Sequence, residues 1–145
     1  MSAEENKAIV KRFFDEVCNG RKLESGYELF AADHTYHDPA IPWEPAGPEG
    51  MMQTVATYHK GLPDIYWQVD DMIATDDTVI TRWTGGGTQT GEVAGDPPIP
   101  PTGKRVKVMG IWVHRLASGK IAESWNVWDA LGFLQQLGVV PTAGA

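Results

Sequence analysis

The second half of the chain reads as a series of β-strands, and this pattern limits the possible folds more than any other feature. Strand-like runs extend over residues 65–75, 78–91, 104–116 and 120–128. Turn residues follow the first and third runs, at Asp76-Asp77 and Ser118-Gly119. Consecutive hairpins predict mostly antiparallel pairing. Three successive glycines, residues 85–87, predict a bulge or bend that lets the sheet curl around a cavity.

The first part of the chain has helical periodicity instead. Ser2 and Glu5 form a capping-box pattern before a run of apolar residues that stops at Asn19-Gly20. A weaker apolar set over residues 23–30 predicts a second helix or turn that leads into the polar cluster 33–38. A third helix is predicted from Pro48 to the residue before Pro63. Helices followed by strands favour an α+β domain in which the helices cover one face of a curved sheet.

Composition and length narrow the class of protein. The 145 residues fit one domain spanning residues 1–145, and the net charge of −7 argues against a nucleic-acid surface. Cys18 is the only cysteine, which excludes an internal disulfide and fits a reducing compartment. Because no secretory leader and no apolar run of about 18 residues is visible, we expect a soluble cytoplasmic protein without a membrane partner.

The carboxylate of Asp129 stands at the end of the last predicted strand. By strand alternation it shares a side with Ile121, Glu123, Trp125 and Val127. If that side lines a cavity, poor solvation raises the pKa of Asp129 toward the range useful for proton transfer. The alternative is a purely structural role, because Asp is a preferred N-cap and residues 130–138 read as a closing helix.

Two histidines and two carboxylates near residue 35 resemble a metal site superficially. His34 and His37 are spaced i, i+3, with Asp33 and Asp38 alongside. Zinc usually needs a third protein ligand, held in place by hydrogen bonds from neighbouring groups, and none is evident. We therefore predict no metal. His37 and Asp38 either reach the mouth of a pocket or serve as ordinary turn residues before a proline.

Six tryptophans are many for a chain of this size. They fall in predicted loops and strands, where large flat side chains at the wall of a concave sheet suit a flat aromatic or polycyclic ligand. The segment 106–113 is apolar on both faces, which predicts that one face packs against a second subunit. The pattern does not indicate which face that is.

Several short motifs, in this order and spacing, resemble the SnoaL-like polyketide cyclases, also called ester cyclases. They are FFDEV, ELFAADHTYHDP, GPEG, TGE, PPTGK and GKIAESWNVWDALGFLQQLG. The resemblance implies the cone of the nuclear transport factor 2 superfamily, with about three N-terminal helices in the concave face of a strongly curved sheet, and a homodimer. Such cyclases close a ring by intramolecular aldol condensation without metal or cofactor.

The resemblance also assigns residues. The family's late aspartate matches Asp129, and an assisting histidine on the neighbouring strand matches His114, or Arg115 if the placement is shifted by one residue. Apart from the resemblance, His37 is a further catalytic candidate because of its expected place near the mouth of the pocket. The expected substrate-binding side chains for a small hydrophobic ligand are Phe14, Trp43, Met52, Trp67, Trp83, Trp112 and Trp125.

Fold membership leaves other activities open. A limonene-type epoxide hydrolase would need an aspartate two residues after a strand arginine, but Thr84 holds that place after Arg82. A ketosteroid isomerase would need a tyrosine from the first helix, which offers Phe13 and Phe14. The alternatives are therefore another hydrolase, dehydratase or isomerase of this superfamily, or a small-molecule binding protein without activity.

Overall fold

The computed structural model describes residues 1–41 and 45–142. The helices are α1 (Ala3–Arg12, continuing as a wide π-helical segment over Phe13–Asn19), α2 (Gly26–Leu29, after a 3-10 turn at Leu23–Ser25), α3 (Gly47–Gly61) and α4 (Ala130–Gln136). The strands are β1 (Phe30–His37), β2 (Tyr66–Ala74), β3 (Thr78–Thr88), β4 (Arg105–Ala117) and β5 (Lys120–Trp128).

Helix α1 begins as the sequence predicts. Ser2 Oγ accepts a hydrogen bond from the Glu5 amide at 3.1 Å, and the Glu5 carboxylate accepts one from the Ser2 amide at 3.3 Å. The apolar stripe of this helix is buried against the sheet, with Phe13 and Phe14 fully covered. None of the described helices is long and apolar enough to cross a membrane.

The five strands form one curved mixed sheet in the order β1-β5-β4-β3-β2. The four predicted strands and the α+β architecture are confirmed. The second helix predicted over residues 23–30 is confirmed as a 3-10 turn and α2. The polar segment that follows it is β1, a strand that the sequence analysis did not predict and that pairs in parallel with β5. Its buried residues, Phe30, His34 and Tyr36, all point to the helix side, and pairing with β5 satisfies the backbone hydrogen-bonding groups of the strand.

Of the bulge or bend predicted at residues 85–87, the bulge is wrong. The register between β3 and β4 runs without interruption through all three glycines, and the irregularity in β2–β3 pairing lies between Val69 and Asp71. Glycine is needed at residue 86 because the backbone of β4 lies very close to it. A Cβ at this position would collide with the carbonyl oxygen of Val106.

A second irregularity decides which residues of β5 face inward. Leu116 pairs with Ile121 but Arg115 pairs with Glu123, so Ala122 is an extra residue that reverses the alternation. Ile121 is buried, and beyond the bulge Ser124 and Asn126 are the buried positions. The predicted common side from Ile121 to Asp129 therefore does not exist.

Candidate functional site

An inner cavity of about 60 Å³ lies between the helices and the concave face of the sheet. Its wall is mostly aromatic and aliphatic, and includes Phe13, Met51, Val55, Leu62, Trp67, Trp83 and Trp112. Its polar wall consists of Tyr36, Asp38, Thr54, Tyr58 and Asn126. The cavity thus combines apolar surface with a few polar groups, as ligand sites commonly do.

The carboxylate of this cavity is Asp38, which directly follows β1. Its Oδ2 accepts hydrogen bonds from the Tyr36 hydroxyl at 2.7 Å and from Trp128 Nε1 at 3.1 Å. Its Oδ1 accepts one from the Ala40 amide at 2.8 Å. Because strands β1 and β5 run in parallel, their ends bring Asp38 and Trp128 to the same edge of the sheet. The carboxylate is therefore held in a fixed orientation.

Tyr36 connects this carboxylate to the sheet. The amide of Asn126 donates to the Tyr36 hydroxyl at 3.4 Å, and Trp83 Nε1 donates to Asn126 Oδ1 at 3.4 Å. The Tyr36 ring stacks on Trp112 with 5.2 Å between ring centroids. Burial, together with the charge of Asp38, raises the pKa of Tyr36 well above its ordinary value. The hydroxyl therefore remains a donor to Asp38 at neutral pH.

The inner cavity adjoins a larger outer cleft of about 630 Å³. The two share Tyr58, Trp128 and Phe133. The outer cleft runs between residues 39–41, the proline-rich segment 93–100 and α4.

The buried side chain of Gln89 anchors the proline-rich segment. Its amide nitrogen donates to the carbonyls of Gly91 and Pro100 at 2.9 and 3.0 Å, and its oxygen accepts from the Thr102 amide at 2.9 Å. These hydrogen bonds tie both ends of the segment to the end of β3.

Asp129 is not in either cavity, so the prediction that it lies in an apolar hollow is wrong. The residue is exposed, and its Oδ1 accepts a hydrogen bond from the Gly132 amide at 2.8 Å, at the N-terminus of α4. The structural alternative, an N-cap, describes its placement. The bulge in β5 is the physical reason, because it reverses the faces on which the alternation argument depended.

His114 faces inward but does not line the cavity. It is fully buried, and Trp112, which stacks on it with 4.9 Å between centroids, lies at the cavity wall. Neither ring nitrogen of His114 has a hydrogen-bond partner within the described residues. Burial lowers its pKa to about 3, so the ring is neutral. Arg115, the alternative, faces outward and donates to Glu123 at 3.4 Å.

His37 and Trp125 lie on the opposite face of the sheet, so their predicted places in the pocket are wrong. His37 Nε2 is 2.7 Å from Glu123 Oε2, and its ring stacks on Trp125 with 5.4 Å between centroids. His34 is buried and bonded to Ser124 Oγ at 2.8 Å. Residues three apart on a strand face opposite sides, which is why His34 and His37 do not converge. No group of side chains suited to a metal occurs in the described residues.

Three of the predicted substrate-binding tryptophans, Trp67, Trp83 and Trp112, line the inner cavity. Their contact with a substrate stays a prediction. Phe14 and Met52 are buried in the core beside the cavity and do not line it. Trp43 lies outside the described residues.

Tyr36, Tyr58 and Asn126 were not assigned from the sequence. Tyr58 is spaced at i+3 from Val55 and i+7 from Met51, on the apolar side of the third helix, and this spacing was the available signal. Tyr36 would have been found by recognising β1 as a strand, and Asn126 by placing the bulge at Ala122.

Comparison with known proteins gives a consistent result. The family model for SnoaL-like polyketide cyclases matches residues 8–137. The candidate polyketide cyclase IdmH from Streptomyces antibioticus is 29% identical, with 91% of this chain and 97% of that chain covered and a TM-score of 0.75. A candidate polyketide cyclase from Acidithiobacillus ferrooxidans is 28% identical (coverage 93% and 95%, TM-score 0.80).

The structure of AclR from Streptomyces galilaeus, a candidate hydroxylase, is also similar. It is 26% identical, with 97% of this chain and 89% of that chain covered and a TM-score of 0.81. No curated protein matches the sequence significantly. A similar fold thus carries proteins to which different reactions are ascribed.

Proposed function

Because this chain belongs to the SnoaL-like polyketide cyclase family, we propose that it is a cofactor-independent enzyme that transfers protons on a small hydrophobic carbonyl compound, with Asp38 as the acid-base group. The observation that carries this proposal is the position of Asp38. Among the described residues it is the only carboxylate that lines the inner cavity. The contacts with Tyr36, Trp128 and Ala40 hold it there.

The chemistry requires one base, because a methylene between two carbonyls is already acidic and its enolate is delocalised. Asp38 removes a proton from that carbon. In a cyclase reaction the resulting carbanion attacks a second carbonyl carbon of the same molecule and forms a carbon–carbon bond. The new alkoxide then takes a proton from the carboxylic acid, which restores the carboxylate. The apolar wall keeps the reacting carbons together.

Proton exchange tests this function without knowledge of the natural substrate. We expect the wild-type protein to catalyse exchange of the acidic methylene protons of β-keto esters and aryl 1,3-diketones in heavy water, above the buffer background, as followed by proton NMR. Binding of these compounds without any exchange would favour a carrier protein. Turnover of epoxides, again without exchange, would favour a hydrolase of the same superfamily.

We further propose that two copies of the chain pair through the outer face of the sheet. This face carries six apolar side chains that are exposed in the single chain: Ile73, Ile80, Met109, Ile111, Trp125 and Val127. Ile111 stands directly beside Val127 on β5, and Ile80 opposite Ile73 on β2. An exposed apolar surface of this kind is typical of a protein–protein interface.

Ile111→Lys is expected to convert this dimer to monomer, with at least a hundredfold rise in the dissociation constant, because the ammonium would be buried without a partner. Sedimentation equilibrium measures the change. Leu131→Lys is the matched control, since Leu131 is 61% exposed on α4 and lies outside the sheet. A monomeric wild type at micromolar concentration, or equal dimerisation of the wild type and Ile111→Lys, would contradict this interface.

A further inference from the structure

Tyr58 stands where the inner cavity meets the outer cleft, and its side chain contributes to both walls. It is located near the C-terminal end of α3. Its ring packs edge-to-face against Trp128, with 6.0 Å between centroids. A molecule that extends from the cleft into the cavity must therefore pass the Tyr58 side chain.

The polar groups around the Asp38 carboxylate are already bonded to protein. The Tyr36 hydroxyl and Trp128 Nε1 both donate to Asp38, and Asn126 donates to Tyr36. The Tyr58 hydroxyl has no hydrogen-bond partner within the part of the chain that the structure describes. It is thus a donor that remains open to a bound molecule close to the carboxylate.

The sizes of the two spaces limit how a ligand can be arranged. The inner cavity, at about 60 Å³, has room for a few atoms, since one water needs about 10–15 Å³ on the same measure. The outer cleft, at about 630 Å³, falls in the range of sites for complete small molecules, about 300–1,000 Å³. A ring system fits only the cleft, and only a small end of the molecule fits beside Asp38.

We propose that the outer cleft binds the apolar body of the ligand and that the Tyr58 hydroxyl donates a hydrogen bond to the carbonyl oxygen of its small inner end. The ligand class is a flat aryl ketone or ester whose carbonyl is carried at the edge of the ring system. The prolines, Ile41, Leu134 and Trp128 supply the apolar walls of the cleft. The described lining of both spaces contains the carboxylates Asp38 and Asp96 and no Lys, Arg or His, so it favours a neutral ligand.

The catalytic role of this hydrogen bond rests on the proposed function. When Asp38 removes the neighbouring proton, negative charge develops on the carbonyl oxygen, where a positioned donor stabilises it. Burial, and the charge of Asp38, raise the pKa of Tyr58. Its hydroxyl is therefore protonated at neutral pH and acts as a donor, while the proton removed from carbon remains on Asp38.

A pair of probes separates the hydrogen bond from apolar contact. 2-Acetylnaphthalene carries a carbonyl oxygen at the edge of a flat ring, and 2-ethylnaphthalene has nearly the same shape without that oxygen. Binding of each is measured by quenching of tryptophan fluorescence, because Trp83, Trp112 and Trp128 line the site. Tyr58→Phe is expected to weaken binding of the ketone about tenfold and to leave binding of the hydrocarbon unchanged.

Tyr27→Phe is the matched control, because Tyr27 is 55% exposed on α2 and lines neither the inner cavity nor the outer cleft. This variant should bind both probes like the wild type. Unchanged hydrocarbon binding also shows that Tyr58→Phe is folded. An equal loss for both probes, no loss for either, or failure of the wild type to bind the ketone would overturn the proposal. Ketone binding that depends on Tyr58, without proton exchange by the wild type, would retain this site and refute the enzymatic function.

Discussion

Replacing Asp38 by Asn is expected to slow catalysed α-proton exchange by about 10²–10⁴-fold, the range typical of a general acid-base group. The side chain keeps its size but can no longer accept a proton from carbon. Initial rates of deuterium incorporation, measured by proton NMR at equal protein concentration, give the effect. Because the carboxylate lines the cavity beside Tyr36, the loss should fall mainly on the rate and less on ligand binding.

Asp129→Asn is the matched control for this experiment. The same chemical change is made at an exposed position, where Asn can replace Asp as the N-cap of α4. Exchange by this variant should be close to wild type. If Asp129→Asn abolishes exchange and Asp38→Asn does not, the catalytic assignment made from the sequence is right and the one made from the cavity is wrong.

The stability of Asp38→Asn needs a separate measurement. Both Oδ atoms of Asp38 accept hydrogen bonds. In Asp38→Asn the side-chain NH2 group replaces one of these oxygens, so one donor of the protein would face another donor. One unsatisfied contact costs about 1–3 kcal/mol. Chemical denaturation shows whether the variant remains folded. Hydrocarbon binding in the cleft then shows whether the site is intact, so that a loss of exchange can be ascribed to the missing base.

The free energy of unfolding is expected to fall on the order of 4 kcal/mol between pH 7 and pH 5. His34 and His114 are the main cause, since burial lowers the pKa of His34 to about 4 and that of His114 to about 3. In the unfolded chain both titrate near 6.5. Their stabilisation is therefore complete above pH 6.5 and is lost as the pH falls, because the unfolded chain takes up protons that the folded protein excludes. Burial lowers the pKa of His59 as well, in the same direction.

Urea unfolding at intervals from pH 7 to pH 5 measures this loss. It is a large share of the 5–15 kcal/mol that stabilises an ordinary domain. His114→Gln should flatten the pH dependence by nearly half. A free energy of unfolding that stays constant from pH 7 to pH 5 would contradict the neutral buried state of both histidines.

Local patterns predicted those elements whose structure depends on neighbouring residues. The capping box at Ser2, the helices that contain Phe13 and Tyr58, and the hairpin strands follow from periodicity, caps and turns that are all present in the sequence. The strand at residues 30–37 was not predicted because its pairing depends on β5, which is far away in the sequence. Its inward positions include His34 and Tyr36, so the apolar alternation that identifies a strand is weak there.

Which side chains line the candidate site depends on a shift of one residue in the pairing of β5 with β4. Ala122 adds a residue to β5 and reverses the alternation, so Asn126 faces the cavity while Trp125 and Val127 face outward. The same shift removes Asp129 from the site, although the family motif and the alternation argument both pointed to it. A single bulge has this effect because side chains alternate with a period of two.

The sequence by itself determined the α+β class, the family, the order of the helices and most strands, and the aromatic character of the cavity. These properties follow from composition, periodicity and motif order. Only the tertiary structure decided that Asp38 is the carboxylate in the cavity and that Tyr58 lies between the cavity and the cleft. Which side chains converge depends on strand pairing and on the bulge, and both are set by contacts between segments that are distant in the chain.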